Sequence, residues 1–245
     1  MTARGFFITG TDTGVGKTVF TAALARALMG DGVNVAAYKP ACSGAEFPPP
    51  QLSTLNPQPL WPDVEELHAA TRRHWPRERI CPQTFLAPLS PPAAAAQEGR
   101  EVDAKLLLEG YQSLAEQAEL VLIEGAGGFY SPLSTHWLNA DLAEQIGLPV
   151  IIVSPNRLGT INHTLLTIEA VRRRGLIVAG VVLNQLTEQA DASVESNPAE
   201  IERRGTVHVW GEIPFTPASE LQPRSLPESM MATFRSLSTG MNDVS

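Results

Sequence analysis

Residues 6–19 read FFITGTDTGVGKTV, and their reading decides the fold. FFIT is the composition of a strand buried on both faces. A Gly/Thr turn follows, and a helix begins at Lys17. A turn of this kind points successive backbone N–H groups at a phosphate, and the helix N-terminus adds roughly half a positive charge. In such a loop the lysine, Lys17, reaches the β- and γ-phosphates, and the hydroxyl of Thr18 ligates Mg²⁺. The strict pattern G-x-x-x-x-G-K-[ST] requires glycine at position 11, where this chain has Thr11, with Gly10 one place earlier. The order strand, turn, helix carries the assignment in spite of that shift.

Working outward, short apolar runs alternate with longer amphipathic segments. Strands are predicted at 5–9, 33–38, 120–124, 149–154, 177–183 and 207–211, and helices at 17–30, 103–118, 138–146, 162–174 and 197–204. The strands are nearly continuous in Val, Ile and Leu, as parallel strands covered on both faces are. The expected fold is therefore α/β: a single-domain P-loop NTPase-like architecture over residues 1–239, with a mostly parallel sheet flanked by helices. Ligands of such sheets bind at the carboxyl ends of the strands. Residues 44–62 (GAEFPPPQLSTLNPQPLWP) interrupt the alternation, and their prolines predict a long irregular loop over the site. Residues 240–245 are expected to fray.

The chain has 245 residues, 43% of them hydrophobic, and a formal net charge of −8, the profile of an ordinary globular protein. An acidic balance opposes nucleic-acid binding, which needs clustered Lys and Arg. Arg72-Arg73 and Arg172-Arg173-Arg174 are read as solvated helix faces. No apolar run has the length of a membrane span, no secretion signal is recognisable, and two cysteines are too few for a disulfide scaffold. These features predict a cytoplasmic protein.

Two further segments carry chemistry. In AYKPACSG (37–44) the second strand ends near Tyr38, so Lys39 and Ser43 emerge beside the phosphate loop. A cation there can hold a carboxylate, a carbamate or a γ-phosphate, or simply face solvent. In LVLIEGAGG (120–128) an apolar run ends in Glu124, placed as the acidic Mg²⁺ ligand of a Walker B strand; the bland alternative is a turn carboxylate. The glycines that follow let backbone approach a ligand closely.

GTDTGVGKT, YKPACSG, TFLAPLSPPAAAAQEGR, IEGAGG, LGTINHTLLT and GEIPF occur in the order and at the spacing of the dethiobiotin synthetase family, and the resemblance covers most of residues 5–217. It implies a homodimeric carbon–nitrogen ligase of biotin synthesis that uses ATP and Mg²⁺. Such enzymes join 7,8-diaminononanoate to CO₂ as a carbamate, phosphorylate the carbamate, and close the cyclic urea with release of phosphate. The resemblance assigns Gly14, Val15, Gly16, Lys17, Thr18 and Val19 to the phosphates, with Gly125, Ala126 and Gly127 lining the nucleotide site. It gives Thr18, Asp63 and Glu124 to Mg²⁺, with Glu65 or Glu66 as alternatives to Asp63 because the loop before them is long. Thr13, Lys39 and Ser43 face the diamine and its carbamate, with Lys17, Lys39 and Thr13 taken as catalytic. Asn184, Gln185, Pro214, Phe215 and Thr216 surround the base, and Gly159 and Asn162 present helix N–H groups to the substrate carboxylate from the partner subunit. The chain departs from the family at Pro92, where histidine is frequent, and at Gln185, where an acidic residue often follows the asparagine.

Two other classes compete. Partition-type switch ATPases share the GVGKT ending but carry a signature lysine five positions before the loop lysine; here that position is Asp12. Ligases of the cobyrinic-acid amidotransferase kind share the loop and fold but usually carry a glutaminase domain, for which this chain has no room. The five histidines show no metal-ligand spacing, and His163 is read as a helix-start residue. Cys42 reads as a packed thiol, and Trp61 and Phe47 as anchors of the proline-rich loop.

Overall fold

Phe7 and Ile8 place the first strand in the interior of a parallel sheet, with the phosphate loop at its carboxyl end. The computed structural model describes residues 4–47, 58–189, 191–216, 226–232 and 234. The strands of the main sheet are β1 (Arg4–Gly10), β2 (Val35–Tyr38), β5 (Leu120–Gly128), β6 (Val150–Pro155), β7 (Val178–Asn184) and β8 (Val209–Ile213). They lie in the order β2-β5-β1-β6-β7-β8, every pair parallel. A two-stranded parallel ladder, β3 (Cys42–Ser43) with β4 (Thr84–Phe85), stands beside it.

Every residue of β2 and β6 is buried. Successive side chains of a strand point to opposite faces, so both faces of the sheet are covered. The covering helices are α1 (Lys17–Gly30), α5 (Ala104–Ala115), α6 (Asn139–Ile146), α7 (Thr160–Arg173) and α8 (Asn197–Gly205). α1 carries small and apolar residues round much of its surface: Phe20, Ala22, Ala23, Leu24, Ala25 and Leu28 are all buried. The Asp103 carboxylate caps α5 by accepting from the backbone N–H groups of Lys105 and Leu106, as an N-cap aspartate does.

All six expected strands and all five expected helices are present. The segment between 58 and 102 holds more order than expected: α2 (Pro62–Ala70), α3 (Arg77–Ile80), β4 and α4 (Pro91–Gln97). Prolines open α2 and α4 at the first helical turn, where the missing N–H costs nothing. The irregular segment therefore ends at Trp61, whose indole N–H donates to the Phe85 carbonyl. An antiparallel bridge between Glu46 and Leu60 closes its base. Phe47 is exposed; residues 48–57 of the expected loop and the tail 240–245 lie outside the described residues. The arginine runs are not all plain solvated faces. Arg72 and Arg73 adopt positive φ past α2, Arg172 donates to the carbonyls of Gly205 and Thr206, and Arg174 pairs with Asp141 and Glu144.

The strand order sets out the chemistry along one edge. Tyr38 pairs with Ile123 and Ile8 with Glu124. The exits of β2, β5 and β1 therefore bring Lys39, Glu124 and the phosphate loop together. β6 and β7 continue the edge on the other side of β1, bringing in residues 154–160 and Asn184.

Candidate active site

The phosphate loop runs from Thr11 to Gly16 and turns into α1. Gly14 and Gly16 take positive φ, 74° and 92°, the left-handed region that glycine enters without a Cβ clash. Lys17 is buried, and its ammonium donates to the Asp12 carbonyl at 3.2 Å. Burial lowers its pKa to about 8, against partial compensation from Glu124. The Thr13 N–H donates to the Asp12 carboxylate, so Asp12, at the position of the switch ATPases' lysine, shapes its own loop.

A cavity of about 250 Å³ opens at the mouth of this loop, lined by Thr13, Gly14, Gly16, Lys17, Thr18, Val19, Lys39, Asp63, Glu124 and Gly127. Residues up to 114 positions apart in sequence, Thr13 and Gly127, thus meet in one place. Glu124 is fully buried. Its Oε1 accepts from the Thr18 hydroxyl at 2.7 Å and from the Lys39 ammonium at 2.7 Å; its Oε2 is buried without a partner among the described residues. Lys39 also pairs with Asp63. Burial works against the charge on Lys39, but Glu124 and Asp63 outweigh it and raise its pKa above the usual lysine value. Asp63 is held below the usual carboxylate range: burial opposes this, and Lys39 prevails.

A hard divalent cation takes oxygen ligands, and this donor set suits one: a hydroxyl and two carboxylates, one of which has a buried oxygen with no partner among the described residues. Asp63 stands in the first turn of α2 and reaches the cavity. Glu65 and Glu66 do not; Glu65 pairs with Arg77 and Glu66 with Arg26.

The remaining expected residues fall in three places. Gly125, Ala126 and Gly127 continue β5 past Glu124, where a Cβ added at Gly125 would meet Asn139 and Phe7. Asn184 ends β7 with its amide N–H on the Val15 carbonyl, and its Oδ1 is buried and unpaired among the described residues. Gln185, Pro214, Phe215 and Thr216 follow at the exits of β7 and β8, joined by the bond from the Gln185 N–H to the Ile213 carbonyl. Ser43 and the pair Gly159 and Asn162 lie outside the cavity. The Ser43 hydroxyl is engaged by the Leu89 carbonyl at 2.5 Å. Gly159 and Asn162 are exposed at the start of α7, which forms one wall of a broader groove of about 580 Å³. Thr11, Asp12, Phe129, Tyr130, His163 and Leu166 line that groove.

Two supporting residues escaped the sequence reading. Asn139, fully buried, accepts from the Ala126 N–H and donates to the carbonyls of Ala126, Gly128 and Ser131. It holds the glycine-rich exit of β5 in shape. Ser154 bonds the hydroxyls of Thr11, Thr160 and Thr164, tying the phosphate loop to α7. A third signal was open to counting: the chain has three lysines, Lys17, Lys39 and Lys105, and two of them line the cavity.

A parallel sheet with a phosphate loop at its centre, a buried lysine on that loop and an acidic strand end beside it define an enzyme of the P-loop ATPase fold. Residues 4–222 match the family model described as an AAA domain. The chain is 45% identical over 223 residues to the ATP-dependent dethiobiotin synthetase of Anaeromyxobacter dehalogenans strain 2CP-1, covering 91% of this chain and 95% of that protein. It is 37% identical over 211 residues to the ATP-dependent dethiobiotin synthetase of Bacillus subtilis strain 168, covering 86% and 87% respectively. The chain belongs to the dethiobiotin synthetase family. Among solved structures, the cell-division ATPase MinD of Pyrococcus furiosus superposes with a TM-score of 0.54 at 18% identity, over 97% of this chain and all of that one. That likeness extends to the fold alone, and the switch-ATPase reading is not favoured.

Proposed function

We propose that this enzyme closes the cyclic urea of dethiobiotin from 7,8-diaminononanoate, CO₂ and ATP. The observation that carries the reading is the convergence of Lys17, Thr18, Lys39, Asp63 and Glu124 on one cavity at the mouth of the phosphate loop. One amine of the diamine takes up CO₂ and loses a proton, giving a carbamate. A carbamate oxygen attacks the γ-phosphorus and ADP departs. The second amine then attacks the carbamoyl carbon, the urea ring closes, and phosphate leaves.

In this scheme the backbone from Gly14 to Thr18 and the Lys17 ammonium hold the phosphates. Lys39 and Thr13 face the carbamate, where the ammonium neutralises charge on the attacking oxygen. Positioning and charge stabilisation are the main means of catalysing such a transfer. Thr18, Asp63 and Glu124 would hold Mg²⁺, which when bound supplies charge neutralisation at the transferring phosphate. Asn184 would accept the adenine amino group, with Pro214 and Phe215 against the ring. Gly159 and Asn162 stand too far out to serve the cavity of their own chain, which fits a role across the interface of a homodimer. A cytoplasmic location accords with these substrates; no described helix is long and apolar enough to cross a membrane.

The test is phosphate release by the purified chain with Mg-ATP and bicarbonate, with and without the diamine, and mass analysis of the product. Diamine-dependent release with dethiobiotin formed is expected. ATP hydrolysis indifferent to the diamine would overturn the reading.

A further inference from the structure

Lys39 occupies a place that the proposed metal would need. Its ammonium is buried and bonded to both carboxylates of the cavity, Asp63 and Glu124. The Thr18 hydroxyl donates to the same Glu124 oxygen that Lys39 uses. Three N–H and O–H contacts thus fall on two oxygens, Glu124 Oε1 and Asp63 Oδ2, that would otherwise be open to a cation. Two acidic side chains this close, one fully buried, need a compensating positive charge, and the lysine supplies it. Lys17, in the same cavity, acts on both carboxylates as well, but one feature stays unmet: Glu124 Oε2 is buried with no partner among the described residues. A divalent hard cation, which takes oxygen ligands, would match the spare oxygen.

We propose that Lys39 is an internal stand-in for the metal, exchanging with it on the same oxygens. Before metal arrives, the ammonium holds Asp63 and Glu124 together. Metal loading expels it from between them, and the freed ammonium turns to the side of the cavity lined by Thr13 and Gly127. The inference rests on the proposed function in taking a divalent cation as the ligand. Two consequences distinguish it from a lysine that merely lines the site. Metal binding without nucleotide is weak, because the metal must displace a bound cation. The lysine's charge becomes available to a substrate anion only after the metal has entered, so metal binding precedes productive carbamate binding.

The three lysines make the exchange visible in the unmodified chain. With lysine labelled in its side chain with ¹³C and ¹⁵N, three ε-resonances report Lys17, Lys39 and Lys105; Lys105→Arg assigns the exposed one. The full chain is titrated with Mg²⁺ without nucleotide, and binding is followed in parallel by calorimetry. The Lys39 resonance is expected to move in step with Mg²⁺ saturation while that of Lys105 stays still. Saturation with the Lys39 resonance unmoved overturns the proposal, as does a failure of Mg²⁺ to bind at all. In a second measurement, Mn²⁺ binding without nucleotide is followed by electron paramagnetic resonance in Lys39→Met, which keeps the stem and removes the charge. Binding on the order of tenfold tighter than in the unsubstituted chain is expected, because breaking a buried pair leaves charge that the metal relieves. Equal or weaker binding by the folded variant overturns the exchange; if the variant does not fold, the titration of the unmodified chain decides. Diamine-dependent phosphate release stands apart from both readouts. Its loss with the exchange intact removes the ligase reading alone, and the converse removes the exchange alone.

Discussion

Asn184 donates its side-chain amide N–H to the carbonyl of Val15, 169 residues earlier, at 3.0 Å. The bond fastens the end of β7 to the phosphate loop. It also fixes the direction of the other amide atom, Oδ1, which is buried and accepts nothing within the described residues. In the proposed function a donor from the nucleotide base would complete it: the exocyclic amino group of adenine would fit, and the carbonyl of guanine at the same position would not.

Asn184→Leu therefore lowers affinity for ATP and levels ATP against GTP. A buried hydrogen-bonding group left unmatched costs about 1–3 kcal/mol, so a loss of roughly five- to 150-fold in ATP affinity is expected by calorimetry. Unchanged preference for ATP in this variant would place the base elsewhere.

Gly16→Ala is expected to disable the loop itself. The residue has φ of 92°, and an added Cβ would lie 2.0 Å from the Asn184 amide nitrogen. Strain and collision act together there. Nucleotide binding is lost and the melting temperature falls; a variant that binds ATP normally would show that the loop tolerates another shape.

Phosphate binding should be linked to proton uptake by Lys17. In the free protein its pKa is lowered to about 8, mainly by burial, so above that pH a growing fraction is neutral. A bound polyphosphate favours the charged form and raises the pKa. At pH 8.5, titrations in buffers of different ionisation enthalpy should show net proton uptake on binding, and affinity should decline as pH rises further. The unfolded lysine, near 10.5, binds more protons than the folded one between about pH 8 and 10.5, so this group's contribution to stability rises with pH across that window. Binding without proton uptake would mean that Lys17 is already charged.

Asp63→Asn should raise the Mg²⁺ concentration needed for half-maximal activity, whereas Glu65→Gln should leave it unchanged. Glu65 is engaged with Arg77 at 2.5 Å, outside the cavity, and an exposed pair of this kind contributes at most about 1 kcal/mol to stability. A metal requirement that follows Glu65 instead would remove Asp63 from the ligand set.

Lys39→Ala should abolish turnover and leave ATP affinity within severalfold of the unsubstituted chain, because its partners are the two carboxylates and the phosphate loop has Lys17. Turnover and ATP affinity lost together would place Lys39 on the nucleotide phosphates.

Where the chemistry is local, it was legible. Thr13 to Val19 lie within one turn and the start of one helix, and the spacing of Gly16, Lys17 and Thr18 predicts their shared cavity. The strand ends at Tyr38 and Glu124 were legible for a related reason, since a buried strand announces itself by an unbroken apolar run and its polar terminus marks the sheet's edge. The region from 58 to 102 was less so. α2 and α4 are short and open on proline, and short helices take their stability from tertiary packing rather than from their own pattern. The choice between Asp63, Glu65 and Glu66 turned on that packing. Consecutive residues of a helix point in different directions, and the docking of α2 on α1 turns Asp63 to the cavity and the other two to arginines.

The sequence by itself determined the strand–turn–helix unit, the parallel α/β class, and the identities of the lysines and carboxylates that carry charge at the sheet's edge. These follow from periodicity and from the chemistry of a few adjacent residues. The tertiary structure alone decided which distant groups meet: Asn184 with Val15, Asn139 with the glycine-rich exit of β5, and Lys39 with Asp63 and Glu124. Each of these contacts joins separate elements, so its geometry depends on strand order, register and helix docking. Those are set by the packing of the whole core, and no local pattern encodes them.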